Sequence, residues 1–189
     1  MINSFANSYG IYINGSVVFA NVEDQDVGTF IVNGESSTSG AGSFGIYATG
    51  NIDFNGPKVV SESGNGQVES TGIKALGNIN IQSGEVYGIG HTSRQASYGF
   101  NAGTVDGASG KIIFSGGHSY AKAQNKTDKC VGFNSAESID IDRSLFDIEN
   151  ESSASTNNQL LLQNPNEYLN INLKNVLILQ QGVENKSNN

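Results

Sequence analysis

TGIKALGNINIQSGEVYGIG, Thr71 to Gly90, is the stretch on which the fold of this chain turns. Within it Ile73, Ile79, Ile81 and Val86 alternate with polar neighbours between glycines. Such runs are too short for helices and suit strands of about three to five residues. The same grammar lies on both sides. A glycine followed by an apolar residue recurs in Tyr9-Gly10-Ile11, Phe44-Gly45-Ile46, Thr71-Gly72-Ile73, Tyr98-Gly99-Phe100 and Val131-Gly132-Phe133, with a degenerate sixth copy near Leu160-Leu161. The spacings, 35, 27, 27, 33 and about 28 residues, fall in the range of stacked repeat architectures.

After each anchor comes a second apolar pair spaced two apart: Val17-Phe19, Ile52-Phe54, Ile79-Ile81, Ile112-Phe114, Ile139-Ile141 and Leu169-Ile171. A third run follows, at Phe30-Val32, Val59-Val60, Val86-Tyr87, Ser119-Ala121, Leu145-Ile148 and Val176-Leu179. Three short strands per repeat predict an all-β chain, a single parallel β-helix of about six turns forming one domain over residues 1–189. The long first and fourth spacings are read as insertions, Asn21 to Gly28 and Asp106 to Gly110, that leave the inward columns undisturbed. A turn with about four inward apolar side chains, each contributing roughly 1.5–3 kcal/mol on burial, cannot by itself offset the ordering of its residues, so stacking is required. Asn51 and Asn78 fall at the same point of successive turns and predict a short asparagine ladder that ends where Lys111 replaces them.

Composition narrows the classes of function. The 18 acidic against 10 basic residues give a formal charge of −8, which repels nucleic-acid phosphate and anionic lipid. No stretch is long and apolar enough for a membrane helix, so membrane insertion is not expected. The single Cys130, beside Val131, is read as a small residue at the edge of the core. Met1-Ile2-Asn3-Ser4 carries no basic and apolar leader and begins mid-pattern, which suggests a mature form or a domain cut from a longer surface or secreted protein, with neighbouring domains in the parent chain.

Two surfaces are candidate binding sites: the loops that recur once per turn, Asn33 to Ser43, Ser61 to Ser70, His91 to Ser97, Lys122 to Lys129 and Glu149 to Asn158, which are equally read as solvated connections, and the outward residues of the strands. The column after the anchor reads Tyr12, Tyr47, Lys74, Asn101, Asn134. Those of the second strand read Val18, Asp53, Asn80, Ile113, Asp140 and Ala20, Asn55, Gln82, Ser115, Asp142. Stacked tyrosines beside Asn, Asp and Gln are what a sugar surface needs, with rings for the apolar face of a pyranose and planar polar groups for its hydroxyls. Tyr12, Tyr47, Asp53, Asn55, Lys74, Asn80, Gln82, Asp140 and Asp142 are therefore the candidate ligand residues. The plainer alternative is that tyrosine is a good strand residue. Glu23, Asp24 and Asp26 offer oxygen ligands for calcium, although their spacing matches no EF-hand loop and a solvated acidic loop is the stronger reading. His91 and His118 fall at different points of their turns and do not form a metal pair; both are read as ordinary exposed histidines.

The phrases Gly45-Ile46-Tyr47-Ala48-Thr49-Gly50-Asn51-Ile52-Asp53-Phe54 and Gly72-Ile73-Lys74-Ala75-Leu76-Gly77-Asn78-Ile79-Asn80-Ile81 resemble the GIxAxGNIxIxGG repeat of bacterial carbohydrate-binding right-handed parallel β-helix proteins, similar in fold to polysaccharide lyases. The resemblance covers about residues 44 to 90. It implies a right-handed solenoid, a surface-associated or extracellular setting, and binding of plant-type or acidic polysaccharide with calcium. No calcium site of that family transfers residue by residue.

Three functions follow in order: a non-catalytic module binding polysaccharide or cell-surface glycan, a structural or adhesive segment binding a protein partner, and a lyase-like enzyme. A lyase needs a base and cation-bound carboxylates around one sugar. Lys58, Lys74 and Lys111 lie in different columns, and Arg94 and Arg143 elsewhere.

Overall fold

The computed structural model describes residues 6–21, 28–37, 41–103, 109–125, 129–152, 160–163, 170–174 and 177–182. Among them there is no helix, and every strand pairing is parallel. The first repeat contributes Ser8–Ile13 (β1), Val17–Ala20 (β2) and Thr29–Asn33 (β3). The second and third contribute Ser43–Ala48 (β4) with Ile52–Glu62 (β5), and Glu69–Ala75 (β6) with Ile79–Gly90 (β7). Then come Ala96–Ala102 (β8), Ile112–Phe114 (β9) and His118–Asn125 (β10), followed by Lys129–Ser135 (β11), Ser138–Asp142 (β12) and Leu145–Ser152 (β13). The sixth repeat supplies Leu160–Gln163 (β14), Asn170–Lys174 (β15) and Leu177–Gly182 (β16).

These strands form two sheets. One has six strands in the order β1-β4-β6-β8-β11-β14, and the other ten strands hold the second and third strands of every repeat. The expected anchors are in register, with Tyr9 opposite Phe44, Phe44 opposite Thr71, Thr71 opposite Tyr98, Tyr98 opposite Val131 and Val131 opposite Leu160. Unequal repeat lengths therefore leave the pairing intact. Two expectations are corrected. The second and third strands of the middle repeats are continuous as β5 and β7, because Gly56 and Gly84, at φ 113° and 90°, carry the chain through a bulge instead of a break. In the sixth repeat the second apolar pair is Ile171 and Leu173, opposite Ile139 and Ile141, two residues later than Leu169-Ile171.

The core lies between the sheets. Ile46, Ile73, Phe100 and Phe133 from the first sheet and Ile52, Phe54, Ile79, Ile81, Ile112 and Ile139 from the second are wholly buried. Phe133 meets Phe114 and Phe146 across the core at 5.1 and 5.7 Å between ring centroids, both edge to face. The anchor glycine has a steric origin. A Cβ on Gly45 would come within 2.3 Å of Ser61 Oγ, one on Gly72 within 2.2 Å of Ile89 N, and one on Gly99 within 2.8 Å of the Ala121 Cβ. In each case the neighbour is the third strand of the same repeat, so the glycines mark the line where the two sheets converge.

Polar stacking completes the frame. Asn51 Oδ1 accepts from Asn78 N and Asn78 Oδ1 from Lys111 N, both at 2.9 Å, and Ser16 Oγ accepts from Asn51 N at 2.9 Å. The ladder thus begins one repeat earlier than expected, and it works by side chain to backbone. Ser43, Ser70 and Ser97 form a second buried column, with Cys130 as its next member opposite Ser97. The Cys130 thiol donates to Ala123 O at 2.8 Å, which makes it a structural stand-in for serine.

Gly72→Ala is expected to destabilise the fold by about 1–3 kcal/mol, because backbone and not a flexible side chain blocks the new methyl. Gly28→Ala, whose Cβ would meet nothing within 4 Å, should stay within about 0.5 kcal/mol of the parent. Paired urea denaturation midpoints check both.

Candidate functional site

The column expected to face outward on the first sheet is in register, with Tyr12 opposite Tyr47, then Lys74, Asn101 and Asn134, but Asn101 and Asn134 are buried, because their amides bond to Glu69 and to each other. Beside it runs the anchor column. Gly45 faces Ser61 of the opposite sheet and Ile46 is buried, so the residues on either side of them, Phe44 and Tyr47, meet with ring centroids 5.1 Å apart. Tyr9 and Tyr12 do the same at 5.1 Å, and Tyr9 stacks on Phe44 at 5.4 Å. Four rings of two repeats thus form one aromatic cluster.

Its geometry modifies the sugar-platform expectation. Tyr12 and Tyr47 stack on each other, 5.6 Å apart and 14° from parallel, so one face of each ring is spent on the other. Tyr12, 53% exposed, offers the most ring surface to solvent. Burial, and then the proximity of Tyr9, Glu69 and Tyr12, holds the Tyr47 hydroxyl pKa above its ordinary value. Tyr47 therefore stays a neutral donor and acceptor at ordinary pH.

The next repeats turn the strip polar. Glu69, largely buried, accepts from Lys74 Nζ at 2.5 Å, Thr71 Oγ1 at 2.7 Å and Asn101 Nδ2 at 2.9 Å. Asn134 Nδ2 then donates to Asn101 Oδ1 at 2.8 Å, carrying the chain of bonds into the next repeat. The Asn134 Oδ1 has no partner among the described residues, and the following position of its column is Gln163. Burial by itself would raise the Glu69 pKa. The Lys74 charge, with the hydrogen bonds from Lys74, Thr71 and Asn101, outweighs it and holds the carboxyl below the ordinary glutamate range. Glu69 was missed by the column reading because it lies at the start of its strand, five residues before Lys74.

The remaining candidates sit on the other sheet. Asp53 Oδ1 accepts from Asn80 Nδ2 of the next repeat, as their shared column requires. Asn55 is opposite Ser83, whose hydroxyl donates to it at 3.0 Å. Gln82 is thereby displaced from the Asn55 column, a correction that follows from the register shift between Phe54 and Asn55, where Gln82 is the extra residue of its strand. Asp140 accepts from Ser138 Oγ at 3.3 Å, and Asp142 has Arg143 Nε at 3.5 Å. The predicted ligand set is thus divided between two sheets, with Tyr12, Tyr47 and Lys74 on one and Asp53, Asn55, Asn80, Gln82, Asp140 and Asp142 on the other. Glu23, Asp24 and Asp26 lie outside the described residues. Among the described residues no three His, Cys, Asp or Glu side chains are placed to hold a metal ion.

A third outward surface escaped the sequence reading. Along the third strands Lys58 pairs with Glu85 at 2.8 Å, His118 with Asp147 at 2.7 Å, and Lys122 with Glu149 at 2.8 Å. His91 pairs with Glu62 of the preceding repeat. Both histidines are part-buried and bound to carboxylates, unlike the free exposed histidines expected. Opposite charges one repeat apart were the available signal. With Lys111 on Glu137 at 2.9 Å and Lys74 on Glu69, Lys58, Lys74, Lys111 and Lys122 are each bound to a carboxylate.

No helix of the described residues is long and apolar enough to cross a membrane. Compared with known proteins, the chain matches no protein-family model, no curated protein and no solved structure.

The depressed Glu69 pKa adds stability that is present above the unfolded glutamate value, near pH 4.5, and is lost as pH falls through the lower folded value. Wild type should therefore outperform Glu69→Gln in urea denaturation at pH 7, with the gap closing below about pH 4.5. A gap independent of pH would remove the charge from this account.

Proposed function

We propose that this chain is a non-catalytic, glycan-binding right-handed parallel β-helix of about six turns, acting at a cell surface or outside the cell. The observation that carries the reading is the cluster of rings of Tyr9, Tyr12, Phe44 and Tyr47 on the first sheet, in register with Lys74 of the next repeat. Its spacing supports an extended ligand, since neighbouring strands lie about 4.8 Å apart and equivalent groups repeat at that interval. The Tyr12 ring would take the apolar face of a sugar, and the Tyr47 hydroxyl its hydroxyl groups.

Electrostatics favour a neutral glycan. A uronate polymer would have to take Lys74 from Glu69, leaving a buried carboxylate without its cation. The net charge of −8 opposes it further. The acidic polysaccharide suggested by the repeat phrase would thus depend on a bridging cation such as calcium, for which Glu23, Asp24 and Asp26 are the candidate ligands. As a lyase base, each lysine of the paired set would first have to leave its carboxylate.

A structural or adhesive role is the second reading, favoured by the exposed Ile11, Phe30 and Ile31 of the first repeat. Binding of the chain to soluble neutral and uronic polysaccharides, with calcium and with chelator, separates these readings. Saturable binding to a neutral glycan, unaffected by chelator and weakened about tenfold or more by Tyr12→Ala with Tyr47→Ala, is expected. Binding only to uronic polymers and only with calcium would overturn the neutral-ligand assignment. No binding to any glycan by the folded chain would leave the structural role.

A further inference from the structure

We infer that Lys74 and Asn101 join in an amide bond, formed by the chain itself with Glu69 as proton carrier, that fastens the third repeat to the fourth. The two residues are directly opposite each other on β6 and β8. Their side chains meet one carboxylate: Lys74 Nζ donates to Glu69 Oε2 at 2.5 Å, and Asn101 Nδ2 donates to Glu69 Oε1 at 2.9 Å. Because a carboxylate only accepts, this contact sets the amide with Nδ2 toward Glu69. The other end of the amide, Oδ1, accepts from Asn134 Nδ2 at 2.8 Å. An amine, the carbonyl it would attack, the leaving nitrogen and a donor for the carbonyl oxygen are thus brought together on the first sheet.

Burial separates this group from an ordinary surface ion pair. The side chains of Lys74 and Glu69 are 13% and 18% exposed, Asn101 and Asn134 are buried, and the Lys74 nitrogen lies 5.2 Å from the centre of the Phe44 ring. Two charges in such a place recover little of what they lose with water, whereas a neutral amine and a carboxylic acid lose far less. The stacking of repeats does not ask for either charge. The residue opposite Glu69 in the fourth repeat is Ala96, and Lys74 has Tyr47 on one side of it and Asn101 on the other.

The reaction exchanges one amide for another and needs no oxidant and no outside source of energy. Glu69 takes a proton from the Lys74 ammonium through Oε2, and the freed lone pair of Nζ attacks Asn101 Cγ. The carbonyl electrons move to Oδ1, where the Asn134 amide steadies the growing negative charge. Glu69 then gives its proton to Nδ2 through Oε1, the Cγ–Nδ2 bond breaks, and ammonia departs. The second proton of Nζ passes through the carboxylate and leaves with the ammonia as ammonium. Glu69 ends as the carboxylate it began as, and loss of ammonium to solvent makes the step one-way. The resting pair is charged, in keeping with the lowered Glu69 pKa, so the reaction runs slowly through the minor neutral pair. The link holds β6 and β8 in register without relying on hydrogen bonds or charge, and it ties together residues 27 apart in the chain.

Mass spectrometry of the folded chain, held at neutral pH, tests the link. The intact mass should settle below that of the sequence by one ammonia. Trypsin should then fail to cut after Lys74 and leave residues 59–94 joined to 95–111 in one peptide, whose fragments place the bond between Lys74 and Asn101. Lys74→Arg keeps the cation beside Glu69 but offers no nucleophile at this pH, so it should keep its full mass. Glu69→Gln and Asn101→Ala should stay unlinked as well, and Asn134→Ala should link about a hundredfold more slowly. On a Lys74→Arg background, where no link forms, the comparison of Glu69 with Gln reads the charge alone. A folded parent that keeps its full mass overturns the inference, as does one that loses ammonia while trypsin still cuts after Lys74. Linking of the urea-unfolded chain, or of Glu69→Gln at the parent's rate, overturns the part given to Glu69. If a variant does not fold, the mass and digest of the parent chain still decide.

Discussion

In-register parallel pairing between each residue and its counterpart in the next repeat is the constraint to which every other feature answers. A parallel ladder places like side chains directly above one another, so each position becomes a column with one environment along its length. Columns of isoleucine and phenylalanine build the core, and Phe100, Phe114, Phe133 and Phe146 occupy places that isoleucine, valine or phenylalanine holds in other repeats. Cys130 is intelligible only as the next member of a serine column, and the lysine at position 111 only as the amide donor that ends an asparagine ladder. The longer repeats respect the same constraint, for the pairs Tyr9 with Phe44 and Tyr98 with Val131 survive spacings of 35 and 33 residues.

Stacking shapes the surface as strictly as the core. Rings in adjacent positions of a column lie face against face, which stabilises the sheet but leaves edges and hydroxyls for a ligand. Charges in adjacent positions must alternate, since like charges directly opposite destabilise a sheet. Lys58 opposite Glu85 and Lys122 opposite Glu149 show that rule, and in a strongly acidic chain Lys58, Lys74, Lys111 and Lys122 are each engaged by a carboxylate. The buried Glu69 is the costliest of these groups to rearrange, because its acceptor bonds come from three separate side chains.

The repeat, the inward columns of the first five repeats, the Asn51 and Asn78 ladder and the pairing of Tyr12 with Tyr47 were legible in the sequence. Each depends on period alone, and a parallel ladder converts period into contact. The tertiary structure decided what period cannot carry. It joined the second and third strands through Gly56 and Gly84, displaced Gln82 from beside Asn55, and set the anchor glycines against the third strand of their own repeat. It also brought Glu69 to Lys74, Thr71 and Asn101, and turned the two tyrosine faces toward each other. These contacts arise where strands bend or bulge and where long side chains reach between columns, and they are set by packing between the sheets, which no spacing along the chain records.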